Sequence, residues 1–323
     1  MKTYGIISDV HADPRIAEVA IGVLKHLGAE RLILNGDIGE MQPSLEASQA
    51  YIATILESAA KSNLQTYVQP GSHETVGFYL PVVEFFSEKF SNITNVLEEQ
   101  VHDELIFLPG SDFVTTGEFR LGNEIPTGLY IPTENGVVPY DQELHQQFLE
   151  NGMFNGLVYF SNIEDVKPKV KDPEKSLVVC HVPRKFDKLE GAVDKAYFAE
   201  SDRGILPGVI VETMIRNQYG DVNYVDLRII AASNGFSLKE ENRGNEELRD
   251  LFNELGLRKA VNGHFHESGH NAHDGNVVKV NENEFVDELY WNSGQLDTGH
   301  CGLIRVNDGK VAYQNVKLQD YLR

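Results

Sequence analysis

Tyr4-Gly5-Ile6-Ile7-Ser8-Asp9-Val10-His11 is a short apolar run that stops in a carboxylate and an imidazole. It has the length of a buried strand, and Asp-X-His at its end puts both side chains on one side of extended backbone. The next segments repeat the pattern. Residues 14–27 carry Ile16, Val19, Ala20, Val23, Leu24 and Leu27 on one helical stripe. Residues 31–34 are apolar again, 44–60 read as a helix and 64–68 as a third strand. Short apolar runs alternating with helices predict βαβ units, a mostly parallel sheet and helices on both faces. The fold class is α/β.

The strand ends carry the chemistry. The second run ends in Asn35-Gly36-Asp37-Ile38-Gly39-Glu40 and the third in Pro70-Gly71-Ser72-His73-Glu74. Residues 176–180 form a buried-strand candidate followed at once by His181, and 259–262 run into Gly263-His264-Phe265-His266. All five candidate strands deliver Asp or His at the edge where open α/β sheets build their sites. Imidazole nitrogen with carboxylate oxygen suits Zn, Mn or Fe, whereas an all-oxygen set suits Mg or Ca. A carboxylate such as Asp37 can bridge two cations. A pair roughly 3.5–4 Å apart clamps a phosphoryl group and generates hydroxide.

These five blocks, in this order, resemble those of the calcineurin-like metallophosphoesterases. The resemblance runs from about residue 3 to about 316 and includes Asn292-Ser293-Gly294-Gln295-Leu296 after the last histidine block. It implies a four-layer α-β-β-α sandwich with the site at the strand C-termini, as a single domain over 1–323 with insertion or cap segments at about 111–175 and 183–245. It implies two metal ions, Mn, Fe or Zn. Asp9, His11, Asp37 and His266 would hold one. Asp37, His181, His264 and the residue in the Asn position of the Gly-Asn-His block would hold the other. His73 would stabilise the transition state or protonate the leaving oxygen, and Glu74 would orient His73. The Asn position is Ser72 here, a shorter and weaker ligand. Ser72 therefore reads either as a loose or water-mediated metal ligand or as a hydrogen-bond donor to a phosphate oxygen.

Other residues have plainer readings. Glu267, His270, His273 and His300 are structural, since six of the eleven histidines lie outside the blocks. Cys180 is a small buried residue. Arg184 is the basic residue nearest a ligand block, and Val182-Pro183 hold it close enough to bind substrate phosphate. The middle of the chain is irregular, with helices expected near 192–199 and 209–216. The rhythm returns with a helix over 246–255 closed by Gly256, then strands at 277–280, 285–291, 303–306 and 311–316. Asn307-Asp308-Gly309 marks a hairpin between the last two.

Charge narrows the substrate. The 323 residues hold 28 Lys+Arg against 49 Asp+Glu, a net −21. Such a surface has no basic face for duplex DNA or anionic lipid. No run approaches the roughly 20 apolar residues of a spanning helix, and two cysteines make no disulfide framework, which fits a cytoplasmic protein. The reading is a metal-dependent phosphoric ester hydrolase, a phosphodiesterase or phosphatase acting on a small, nucleotide-like mono- or diester. Nucleic acid and membrane are disfavoured as partners. The alternatives are a nuclease of the same superfamily and a catalytically weakened scaffold. Against a phosphoprotein phosphatase, the second block continues Ile38-Gly39-Glu40 and not Asp-Arg-Gly.

Overall fold

The computed structural model describes residues 1–111, 119–152 and 156–321. Two six-stranded sheets lie face to face. The first runs in the order Lys310–Lys317, His300–Asn307, Lys2–Ile7, Arg31–Asn35, Gln65–Gln69, Ile93–Asn95. Its last four strands are parallel, and the terminal hairpin adds to Lys2–Ile7 antiparallel. The second runs Ala272–His273, Leu289–Asn292, Lys259–Asn262, Leu177–Cys180, Leu105–Leu108, Val101–His102. Its four central strands are parallel and its two edges antiparallel.

Alternation along each strand sorts side chains into three apolar layers. Tyr4, Ile6, Ile33, Val179, Val261 and Trp291 meet between the sheets. On the outside of the first sheet, Leu32, Leu34 and Val68 pack with helices Ile16–His26, Leu45–Ser62 and Val76–Lys89. On the outside of the second, Val178, Ala260 and Tyr290 pack with helix Glu246–Leu255. The architecture is a four-layer α-β-β-α sandwich.

Local chemistry sets the element ends. The Ser44 hydroxyl accepts from Ala47 N at 3.1 Å and starts Leu45–Ser62. Asn245 caps Glu246–Leu255 through Leu248 N at 2.7 Å, and Gly256 at φ 71 closes that helix as expected. Asp308 and Gly309, both at positive φ, make the two-residue turn of the terminal hairpin.

Three sequence expectations need correction. The helix expected near 192–199 is the strand Lys195–Ser201, paired with Gly204–Pro207 and Ser237–Asn242. Its alternation turns Ala196 and Phe198 onto Phe265 and Ala199 onto the other side, a period of two misread as helical. Residues 277–280 touch the second sheet through one bridge, His273 with Lys279, and form no strand. The strand expected over 285–291 is confined to Leu289–Asn292. Helix 209–216 is Gly208–Tyr219.

The two irregular stretches build small sheets of their own. Phe119–Gly122, Val158–Asn162, Gly128–Thr133 and Gly136–Pro139 form one, in that order; the expected 111–175 insertion falls partly outside the described residues. Gly204–Pro207, Lys195–Ser201 and Ser237–Asn242 form the other, with helices Gly208–Tyr219 and Tyr224–Ser233 on it. Among the described residues no helix is long and apolar enough to cross a membrane.

Candidate metal centre

The parallel strands of both sheets end along one shared edge. Lys2–Ile7 hands over to Ser8-Asp9, Arg31–Asn35 to Gly36-Asp37, Leu177–Cys180 to His181 and Lys259–Asn262 to Gly263-His264. Backbone bonds tie these loops together. Asp9 N and Val10 N donate to Gly36 O and Asp37 O, Gly263 N to His181 O, and Leu296 N to the carbonyls of Ser8 and Asp9. Asp9, Asp37 and His264 all sit at positive φ, at 58°, 50° and 70°. Non-glycine residues held there are strained and cluster at functional sites. Gly36, at φ 80, has no room for a side chain, because a Cβ would lie 2.6 Å from His181 Nδ1.

The donors form two neighbouring groups, Asp9 with His11 and His266, and Asp37 with His181 and His264, and His11 is shared with a third that holds Glu40 and His73. His266 Nε2 is 3.2 Å from Asp9 Oδ1. His181 Nε2 lies 3.0 Å from Asp37 Oδ2 and 3.9 Å from Asp9 Oδ1, so it joins the groups. His181 Nδ1 faces Asn35 O at 2.8 Å, a bond that turns Nε2 into the site. Ser72 is held against Asp37: its N–H donates to Oδ1 and its hydroxyl donates to Oδ2 at 2.8 Å. The same hydroxyl is 3.5 Å from His264 Nδ1. His73 N also donates to Asp37 Oδ1, at 2.8 Å.

Charge in the cluster is strongly coupled. Burial pushes the Asp9 and Asp37 carboxyls up, but His181 beside both pulls each below the ordinary carboxylate value, Asp37 furthest. Burial lowers His181, yet Asp37 and Asp9 raise it to about 10. His264 is lowered to about 3 by burial and by His181. Two buried carboxylates thus stay ionised against imidazolium, a place a metal cation takes by displacing protons. His11 Nε2 is buried and makes no hydrogen bond, and His181 Nε2 meets only the Asp37 carboxylate, while the opposite nitrogens of both rings are engaged. Imidazole nitrogens turned in this way onto buried carboxylates fit transition-metal cations.

Two roles differ from expectation. Glu74 does not orient His73. Its fully buried carboxylate accepts from Ile38 N at 2.6 Å, Gly39 N at 3.1 Å and Gly71 N at 2.9 Å, so it staples the second loop to the third. Burial and the Asp37 charge push it up to about 8. Glu40 takes the orienting place: its Oε2 lies 2.9 Å from His73 Nδ1 and 3.1 Å from His11 Nδ1. Burial lowers His73, but Glu40 and Asp37 raise it to about 9. Glu40 falls to about 2 despite burial.

Arg184 is outside the cluster. Its guanidinium sits 4.5 Å from the centre of the Phe186 ring and 4.9 Å from that of Tyr290, and donates to Asn253 Oδ1 at 3.3 Å. Tyr290 lies in the outer apolar layer of the second sheet, so the aromatic faces hold Arg184 there. Cys180 is buried, with its thiol pushed up to about 12. His270 and His273 bond to backbone, at Cys301 O and Val193 N.

Sequence reasoning missed Glu40 and Asp297. Asp297 accepts from His11 N at 2.8 Å and Ala12 N at 3.1 Å, fixing the first loop from 286 residues away. Glu40 had a signal, an acid three residues after Asp37 in a ligand loop. Asp297 had none beyond lying next to the Asn292–Leu296 stretch.

No protein-family model matches the chain, and no curated protein matches it in sequence. Solved structures do resemble it. TT1561 of Thermus thermophilus shares 12% identity over 97% of this chain and 98% of that one, with a TM-score of 0.51. A dimetal phosphatase from Danio rerio shares 9% identity over 98% and 99%, with a TM-score of 0.48. At 12% identity the likeness to the first is one of fold alone.

Proposed function

We propose that this protein is a two-metal phosphoesterase that hydrolyses a small phosphate mono- or diester. The observation that carries the reading is the pair of adjacent donor groups sharing His181 between Asp9 and Asp37. Asp9, His11, Asp37 and His266 would hold one cation; Asp37, His181, His264 and the Ser72 hydroxyl would hold the other. Such a pair would activate water for attack and offset charge on the phosphoryl oxygens.

The chain's own residues do the rest. Asp37, with both oxygens fixed by Ser72, would be held rigid as a ligand to the two cations. Glu40 holds His73 by Nδ1 and keeps it protonated, so Nε2 carries the proton for the leaving oxygen. Asn35 fixes the His181 ring, and Asp297 fixes the backbone of His11.

The small-substrate preference over a nuclease rests on charge. Lys167 is paired with Glu164 at 2.5 Å and Glu254 at 2.6 Å, Lys169 bonds Gln100, and Lys175 pairs Asp172 at 3.4 Å. That lysine cluster is largely engaged, and the net charge is −21.

The test is metal analysis of purified protein with hydrolysis of p-nitrophenyl phosphate and bis-(p-nitrophenyl) phosphate. Two transition-metal ions per chain and turnover lost on chelation, restored by Mn, Fe or Zn, are expected. Failure to bind any transition metal overturns the enzyme reading and leaves the scaffold. Tight, salt-sensitive DNA binding overturns the substrate class.

A further inference from the structure

The small sheet over residues 195–242 carries an inverted helical layer. Helices Gly208–Tyr219 and Tyr224–Ser233 turn Val211, Ile215, Leu227 and Ala231 onto their sheet, as an amphipathic pair should. Their opposite faces are apolar as well. Val209, Ile210 and Met214 lie on the outer side of the first helix, Val225 and Ile229 on that of the second. Met214 is 57% exposed, Ile229 62% and Val225 65%. The strand Gly204–Pro207, exposed along its whole length, leads into the first helix, and Leu206, paired with Ala199, shares the helix side of the sheet.

We infer that this face is a two-fold interface with a second copy of the chain. The argument is first one of area. Half-exposed apolar side chains here present roughly 600 Å², at the upper end of the largest patch a monomer shows and about three quarters of the ~800 Å² each partner contributes to a standard interface. Second is charge. The apolar side chains Val209, Ile210, Met214, Val225 and Ile229 carry no charge, so they can meet a second −21 chain without setting like charges against each other. Beside them Arg216 is paired with Glu212 at 2.8 Å and also with Asp221. Third is symmetry. An edge strand that pairs antiparallel with its own copy does so about a two-fold axis, which closes a dimer. Gly204–Pro207 is the outer strand of its sheet. A membrane is a poorer fit, because the helices lack the basic polar flank that interfacial helices carry.

The interface lies near the candidate centre. Lys195–Ser201, which the helices cover, packs against the turn that bears His266: Ser268 Oγ donates to Lys195 O at 2.7 Å, and Phe198 touches Phe265. A dimer would brace the strand that supports this histidine loop.

Light scattering on the whole chain tests the interface. At about 50 µM, above the micromolar dissociation constants of the weakest interfaces of this size, the expected mass is 2 × 36.2 = 72.4 kDa. The double variant Ile210→Arg/Ile229→Arg should run at monomer mass with an unchanged far-UV spectrum. A second variant, Met214→Glu, should weaken the dimer at least tenfold without unfolding the chain. Monomeric wild-type protein at that concentration overturns the proposal, as does a dimer that both variants leave intact. Wild-type monomer that co-sediments with phosphatidylcholine vesicles overturns it too, in favour of a lipid surface.

Discussion

Glu40 Oε2 stands 2.9 Å from Nδ1 of His73. The same oxygen reaches His11 Nδ1 at 3.1 Å, so one carboxylate serves a candidate metal ligand and the candidate acid. Burial alone would lower His73; Glu40, with Asp37, raises it to about 9. In Glu40→Gln, His73 should therefore lose its proton at lower pH, and the alkaline limb of the kcat profile should move down by more than one unit. Turnover of a substrate with a poor alkoxide leaving group should fall roughly 10–100-fold, within the span of general acid catalysis. p-Nitrophenyl phosphate should lose much less, because its leaving group needs no proton. An unmoved alkaline limb would remove Glu40 from this role.

Arg184 is expected to matter for stability and not for substrate. Its guanidinium lies over the rings of Phe186 and Tyr290. Arg184→Met should cost about 1–2 kcal/mol in urea unfolding, the range of a partly desolvated cation–π contact. KM for the phosphate ester should stay within twofold. A large KM rise with unchanged stability would restore the phosphate-binding reading.

Glu74 is expected to act as a staple. Three backbone N–H groups converge on its carboxylate. Glu74→Ala leaves these buried donors unpaired and should cost about 3 kcal/mol or more. Its effect should be read by denaturation and by metal affinity, because both loops it joins carry candidate ligands. Glu74→Gln keeps one acceptor and should fall between.

Metal-free protein should lose stability as pH rises. His181 has its folded value raised to about 10, so the stability it gives is full below about 6.5 and is lost between there and 10. Glu74, raised to about 8, prefers its neutral form when folded, and its ionisation erodes stability between about 4.5 and 8. His264 acts oppositely: held at about 3, it costs stability as pH falls below about 6.5. Melting temperatures of chelated protein should thus fall from neutral pH towards pH 10. Metal-loaded protein should not follow, because bound imidazoles have already given up their protons. Parallel curves for the two forms would contradict the ligand assignment of His181.

Ser72 is expected to set the strength of the second candidate site. Its hydroxyl lies 2.8 Å from Asp37 Oδ2 and 3.5 Å from His264 Nδ1. Ser72→Asn supplies a neutral carbonyl ligand and should raise affinity for the weaker ion on the order of tenfold by calorimetry, the low end of what a ligand change does. Ser72→Ala should lower it by a similar factor. Equal titrations for all three would place Ser72 outside the coordination.

Much of the fold was legible because buried strands and their terminal Asp or His residues are local signals. Tyr4 to His11 reads the same way in the chain and in the structure. The strand Lys195–Ser201 was not legible: Ala196, Tyr197, Phe198 and Ala199 are compatible with either period, and only pairing across to Ser237–Asn242 decides. The donors that meet could be named from their blocks. What holds them could not, because Asp297 acts through the backbone of His11, and Arg184 is captured by Tyr290 as well as by its neighbour Phe186. Such contacts leave no local pattern.

The strand Lys2–Ile7 pairs with His300–Asn307, and the loop after it is clamped by Leu296 and Asp297. During synthesis Asp9 and His11 therefore leave the ribosome long before the residues that hold them. Until residues up to about 307 emerge, those two donors lack the bonds from Leu296 and Asp297, and the first sheet has an open edge where the terminal hairpin belongs. A nascent or truncated chain thus holds its first loop only through the second, and its unpaired edge exposes it to aggregation and proteolysis. The connectivity ties completion of the candidate centre to the arrival of the terminal hairpin.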